Sequence, residues 1–191
     1  MTVWHWVRHG PTHEKAFVGW RDVPADLSDA ATIARLDAHL PQNALLVSSD
    51  LIRAVATADV LAKGRARLPH AADLREFNFG DWDGLRFDAI AAAHPDLSRR
   101  YWEEPGDVAP PGGESWNNVA ARVAGFVDWM NTDHPKAEII AVAHIGVILT
   151  QIQRAAGCTA YDALAHEIGN LSVTRLIHDG TWRIEAINHA P

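Results

Sequence analysis

The chain contains one cysteine, Cys158, among 191 residues, so no disulfide can close within it and packing alone must hold the fold. That usage suits a reducing compartment, and the expected location is the cytoplasm. Cations are also in short supply: 17 Lys and Arg stand against 24 Asp and Glu, a formal net charge of -7. Nucleic-acid binders need a basic face to displace counterions, so nucleic acid is not an expected partner, and any anion site has to be a local cluster of cations. No uninterrupted apolar run approaches the roughly 18 residues that span a bilayer, and no basic stretch leads into an apolar one at the start, so neither a membrane anchor nor a signal peptide is expected. Internal repeats, long charge runs and low-complexity tracts are missing. "PPGGES" lacks the lysine and following hydroxyl of a nucleotide-cradling loop.

What the chain does have is apolar residues, 48% of the total, enough to bury the core of one domain over residues 1–191 without metals. Residues 3–7, 44–48 and 138–143 read as short buried strands. Between them lie helical patterns: Leu51, Ala54, Val55, Ala58, Leu61 and Ala62; Val119, Val123, Phe126, Val127 and Met130 after an N-cap at Ser115; and Ile33, Leu36 and Leu40 after Ser28. Residues 173–177 and 182–187 flank "HDGT", a hairpin signal because Asp-Gly accepts positive φ angles. The expected fold is α/β: a three-layer sandwich whose mostly parallel central sheet has an antiparallel edge, with helices on both faces. Residues 94–114, rich in proline and glycine, read as a capping excursion.

Ligands of such folds collect beyond the carboxyl ends of the strands. There the first strand breaks off into "VRHGPT", delivering Arg8 and His9 onto a turn made by Gly10 and Pro11. The strand at 138–143 delivers His144, with Gly146 behind it, and Arg53 falls in the first turn of the helix after residue 48. Two guanidinium forks and a helix N-terminus suit a phosphoryl group. A neutral imidazole beside the phosphorus can attack it, while the arginines and a second histidine stabilise the equatorial oxygens. His9 is the expected nucleophile, and Arg8, Arg53 and His144 the stabilisers. The leaving alkoxide needs a proton from a carboxyl of raised pKa. Glu76 in "LREFNFGDWDG" is the candidate, desolvated by Leu74, Phe77 and Phe79, with Asp73, Asp81 and Asp83 as near alternatives.

"VRHGPT", "SSDLIRAVATA", "LREFNFGDWDG", "PPGGES" and "VAHIG", in this order, together resemble the histidine phosphatase superfamily, in the branch of phosphoglycerate mutases and small bacterial phosphatases. The resemblance spans about residues 3–150 and is closest to phosphatase members, including alpha-ribazole phosphatase-like proteins. It implies a metal-independent phosphomonoesterase with no cofactor, acting on a small phosphate ester through a phosphohistidine at His9. Arg8, Arg53 and His144 would complete the phosphate pocket and Glu76 would donate the proton. Departures from the family pattern fall at Pro11, where an acidic residue or glutamine is usual, at Lys15, where asparagine is usual, and at Ile145, which displaces a second glycine.

Thr12, Lys15, Trp20 and Ile145 are candidate substrate contacts. Lys15 would recruit a second anionic group unless it is simply solvated; Trp20 and Trp116, two of eight tryptophans, would form an aromatic wall. Arg53 could instead pair with Asp50. The spacing His5, His9, His13 imitates a metal-binding helix face, but the turn after Val7 breaks it, so no metal site is expected. Glu114 and Ser115 read as helix caps. A phosphoglycerate mutase and a non-catalytic phosphate-binding module are the alternative functions, and the oligomeric state, a homodimer included, stays open.

Overall fold

In the computed structural model, which describes residues 1–191, six strands form one sheet: β1 (Thr2–Arg8), β2 (Leu45–Ser48), β3 (Ala66–Arg67), β4 (Glu138–Ala143), β5 (Val173–His178) and β6 (Trp182–His189). Their order is β3-β2-β4-β1-β5-β6. The pairs β2–β3, β2–β4 and β1–β4 are parallel, whereas β5 runs antiparallel to both β1 and β6. The helices are α1 (Ala30–His39), α2 (Ile52–Ala62), α3 (Phe87–Ala93), α4 (Pro95–Glu103), α5 (Trp116–Asp133), α6 (Ile145–Ala156) and α7 (Ala160–Leu164). None is long and apolar enough to cross a membrane.

The central strands read as continuous apolar runs because both of their faces are covered. Side chains alternate across the sheet: Ile139, Ala141 and Ala143 of β4 join Trp4 and Trp6 in a core under α5, α6 and α7. Ile140 and Val142 join Val7 and Leu46 in a second core under α1 and α2. This is the expected α/β sandwich. Trp4 and Trp6, two residues apart on one face, stack with centroids 5.1 Å apart, and the Trp4 indole donates to Asn131 Oδ1 at 3.0 Å.

Register decides where the chemistry lies. Arg8 pairs with Ala143 and Ser48 with Val142, so His9 and His144 leave adjacent strands side by side, and the His9 N–H still donates to the Ala143 carbonyl at 3.1 Å.

Several expected boundaries shift. Arg8 is the last residue of β1, not a residue of the turn. The cap of α1 is Asp29, whose carboxylate accepts from Thr32 N at 3.0 Å; Ser28 is engaged one step earlier by Asp26. The excursion at 94–114 is not irregular throughout. Pro95 opens α4, the helix position where a missing N–H does no harm, and Tyr101 packs edge-on against Trp82, 5.4 Å away, in a small cluster with Ile90. The short β3 and helices α3, α6 and α7 have no counterpart among the expected elements.

Ser115 caps α5 as expected, in a reciprocal pair with Asn118: Ser115 Oγ accepts from Asn118 N at 3.2 Å and Asn118 Oδ1 accepts from Ser115 N at 3.1 Å. Ser115→Ala therefore removes about 1 kcal/mol of stability, read as a lower urea midpoint at unchanged m-value. An unchanged midpoint would mean that the cap contributes nothing.

Candidate active site

Beyond the carboxyl ends of β1, β2 and β4 lies a cavity of about 330 Å³. Arg8, His9, Arg53 and Glu76 line its inner end. His144 is fully buried, with its ring centroid 5.1 Å from that of His9. Three strand ends and the segment before Phe77 thus bring together the five residues that the sequence marks as chemical.

His9 Nδ1 lies 2.6 Å from the Gly10 carbonyl oxygen. A carbonyl only accepts, so Nδ1 carries the hydrogen and the lone pair of the neutral ring sits on Nε2. Two contacts fix the turn behind the ring: Thr57 Oγ accepts from Gly10 N at 3.0 Å, and Asn170 donates to the His9 carbonyl at 2.8 Å. Gly10 is needed there for closeness and not for an unusual φ, since a Cβ would fall 2.6 Å from Leu27 Cδ2.

Arg53 is buried and Arg8 half-buried, and both are held by backbone carbonyls. Arg8 donates to Ile168 O at 2.6 Å, and Arg53 donates to Gly19 O at 2.7 Å and to Arg21 O at 3.0 Å. Asp50 does not pair with Arg53; it is clamped by Arg75 at 2.7 and 2.8 Å. The Nε atoms of Arg8 and Arg53 and both ring nitrogens of His144 have no hydrogen-bond partner in the protein. The two guanidinium N–H groups and the one N–H of the neutral His144 ring are donors that an oxyanion would satisfy, although His144 itself lies behind the cavity lining.

Burial sets the protonation states. Desolvation, reinforced by the Arg53 and Arg8 charges, outweighs the Gly10 hydrogen bond and lowers the pKa of His9 to about 3. Desolvation and the nearby His9 and Arg53 hold His144 well below its usual value. Glu76 moves the other way, because burial raises its pKa despite hydrogen bonds from Phe77 N and Gly146 N and attraction from Arg53 and Arg8. At neutral pH the inner end therefore holds two guanidinium charges, two neutral imidazoles and a carboxyl biased toward its protonated form. Gly146 lets α6 approach that carboxyl, since a Cβ would stand 2.4 Å from Glu76 Oε1. Of the alternative acids, Asp83 is occupied by Arg21 and Gly19 N, and neither it nor Asp73 nor Asp81 reaches the cavity.

Thr12 and Ile145 line the cavity; Lys15 and Trp20 do not. Lys15 is exposed while its neighbours Glu14 and Ala16 form the wall. The Trp20 indole is turned onto the backbone, donating to the Glu76 carbonyl at 2.7 Å with the Arg75 guanidinium 4.8 Å over its ring. It braces the carboxyl-bearing segment and forms no part of the aromatic wall. Trp116 is in that wall, its indole donating to Gln153 at 2.6 Å. The histidine series is split up: His5 contacts Glu138 at 2.6 Å and His13 contacts Asp26 at 2.8 Å.

Sequence reasoning missed Arg122, which donates to the Glu76 carbonyl at 3.0 Å while gripping Glu114 at 2.9 Å. It missed Thr57 and Asn170 as well. An arginine eight residues after an acid on an amphipathic helix carries no signal of such a role.

A family model described as the histidine phosphatase superfamily (branch 1) matches residues 5–190. The chain is 42% identical over 117 residues to a glucosyl-3-phosphoglycerate phosphatase of Mycobacterium tuberculosis, covering 56% of this chain and 52% of that protein. It is 33% identical over 174 residues to a bifunctional protein of the same organism, covering 90% of this chain and 46% of that protein. The chain thus spans about half the length of these curated relatives. The solved structure of YhfR from Bacillus stearothermophilus superposes with a TM-score of 0.90 at 25% identity, covering 100% of this chain and 98% of that one.

The pKa directions predict how stability varies with pH. The unfolded chain binds protons at His9 and His144 below about pH 6.5, whereas the folded chain refuses them until lower pH, near 3 for His9. Their contribution is complete above 6.5 and is lost on acidification, at up to about 1.4 kcal/mol per pH unit for each histidine. Glu76 has the opposite sign, being lost as pH rises through its raised value. Thermal unfolding of His9→Asn between pH 7 and 5 should show a shallower loss of Tm than the parent protein; parallel curves would mean that His9 is not held neutral.

Proposed function

The chain belongs to the histidine phosphatase superfamily, and on that premise we propose that it hydrolyses phosphate monoesters of small metabolites through a phosphohistidine at His9, without a metal ion. The observation that carries this reading is the His9 ring, kept neutral with its Nε2 lone pair free beside the buried Arg53 and the half-buried Arg8.

The phosphoryl dianion enters the inner end and answers the two guanidinium charges. Nε2 of His9 attacks phosphorus as the ester P–O bond breaks, and the departing alkoxide takes the proton of Glu76. Arg8, Arg53 and His144 stabilise the equatorial oxygens while charge spreads over them. Loss of the alcohol leaves a phosphohistidine and an ionised Glu76. Water then attacks phosphorus from the vacated side, giving its proton to Glu76 as the N–P bond breaks, so inorganic phosphate leaves and both side chains return to their starting forms. The two backbone N–H donors at Glu76 steady the carboxylate between the steps. Direct relatives named as phosphatases support the reaction class. We read residues 1–191 as one catalytic unit whose 94–114 segment caps the cavity, and the lone cysteine supports a cytoplasmic location.

The test is Glu76→Gln assayed in EDTA. Turnover of alkyl phosphates, whose leaving oxygens need a proton, should fall about 10²- to 10⁴-fold, while p-nitrophenyl phosphate, with its acidic leaving group, should lose far less in the first step. Equal losses on both esters would remove Glu76 as the acid. Abolition of the parent activity by EDTA would remove the metal-free mechanism.

A further inference from the structure

Resting on that phosphatase reading, we infer that the substrate carries its phosphoryl group on an apolar alcohol, alkyl or aryl, with no second anionic group. Every cation that lines the cavity belongs to its phosphoryl end, namely Arg8 and Arg53. Apart from Thr12 and Glu14, the rest of the wall is mainly aromatic and aliphatic. Its rings form a continuous run, from Phe77 to Phe79 at 6.2 Å, to Phe17 at 5.1 Å, to Trp102 at 5.8 Å and to Tyr101 at 4.8 Å. Val108, Leu149 and Leu164 extend this surface. The cap segment supplies much of it, since Tyr101 and Trp102 come from α4 and Val108 from the loop that follows.

A carboxylate or second phosphate on the alcohol would find no counter-charge here. The remaining charged side chain of the wall is Glu14, an acid. Arg21, the cation beside Glu14, is committed to that carboxylate at 3.3 Å and to Asp83 at 3.1 Å, and Lys15 projects into solvent. Placing an anion against such a wall forfeits its hydration without replacement. The same lack weighs against a mutase acting on phosphoglycerate, whose carboxylate must be held for both phosphoryl transfers. An alkyl chain, by contrast, gains about fourfold in kcat/KM for each methylene buried, which corresponds to about 0.8 kcal/mol.

The experiment measures kcat/KM of the parent protein for ethyl, butyl and hexyl phosphate and for 3-phosphoglycerate. All four are esters of primary alcohols, so the leaving groups are chemically similar and differences report on the wall. The expected result is a rise of roughly fifteenfold for each added pair of methylenes, with 3-phosphoglycerate below butyl phosphate. A flat or falling alkyl series, or 3-phosphoglycerate above hexyl phosphate, would overturn the apolar-alcohol assignment and leave the phosphatase reading standing. If neither these esters nor p-nitrophenyl phosphate is hydrolysed, the phosphatase reading fails and the assignment fails with it.

Discussion

A single hydrogen bond, from Nδ1–H of His9 to the carbonyl of the next residue, Gly10, decides which ring nitrogen is free to act as a nucleophile. Much of the surrounding structure preserves that choice. Parallel pairing of β1 with β4 fixes where the turn begins, Thr57 and Asn170 hold its backbone, and a Cβ at Gly10 would crowd the Leu27 side chain and the Asp26 carbonyl. The ring is then buried beside two arginines, an environment that resists a third positive charge. The same burial that keeps the His9 ring neutral raises the affinity of Glu76 for its proton. One desolvated space therefore favours the neutral form of both groups, and the cations that oppose protonation of His9 are those proposed to receive the phosphoryl group.

The cavity divides by chemistry along its length. Its inner end is assembled from strand ends and the first turns of α2 and α6, elements anchored in the two cores. The rest of its lining is largely apolar and comes from several segments, with Phe77 and Phe79 ahead of α3, Tyr101 and Trp102 in α4 and Leu149 in α6. On the proposed reading, the groups that handle phosphorus and those that face the alcohol sit on different elements, and substitutions in α4 would change the second set without disturbing the first.

The residues proposed to act on phosphorus are legible in the sequence because each sits at a strand end or helix start, where an apolar run stops at an arginine or a histidine. Glu76 stood out by its apolar flanks. Contacts made by the backbone left no such mark. Trp20 reads as an aromatic beside an entrance, yet its indole is spent on the Glu76 carbonyl. Arg122 carries no mark in the sequence, yet it donates to the same carbonyl. Lys15 offered a charge where the wall uses its neighbours Glu14 and Ala16. Proline and glycine dominated the reading of residues 94–114 and hid α4, because Pro95 is harmless at a first helical position and the aromatic packing of Tyr101 is a tertiary effect. Helix α6 is buried continuously from Gly146 to Ile152, and such an apolar run cannot be told from a buried strand by period alone.

A covalent intermediate at His9 requires two successive in-line displacements at phosphorus, each of which inverts it. Hydrolysis of an alkyl phosphorothioate made chiral at phosphorus with two oxygen isotopes, in water carrying the third isotope, followed by configurational analysis of the released thiophosphate, tests this directly. The account predicts net retention. Net inversion would mean that water attacks the ester in a single step, and that His9 is not the nucleophile.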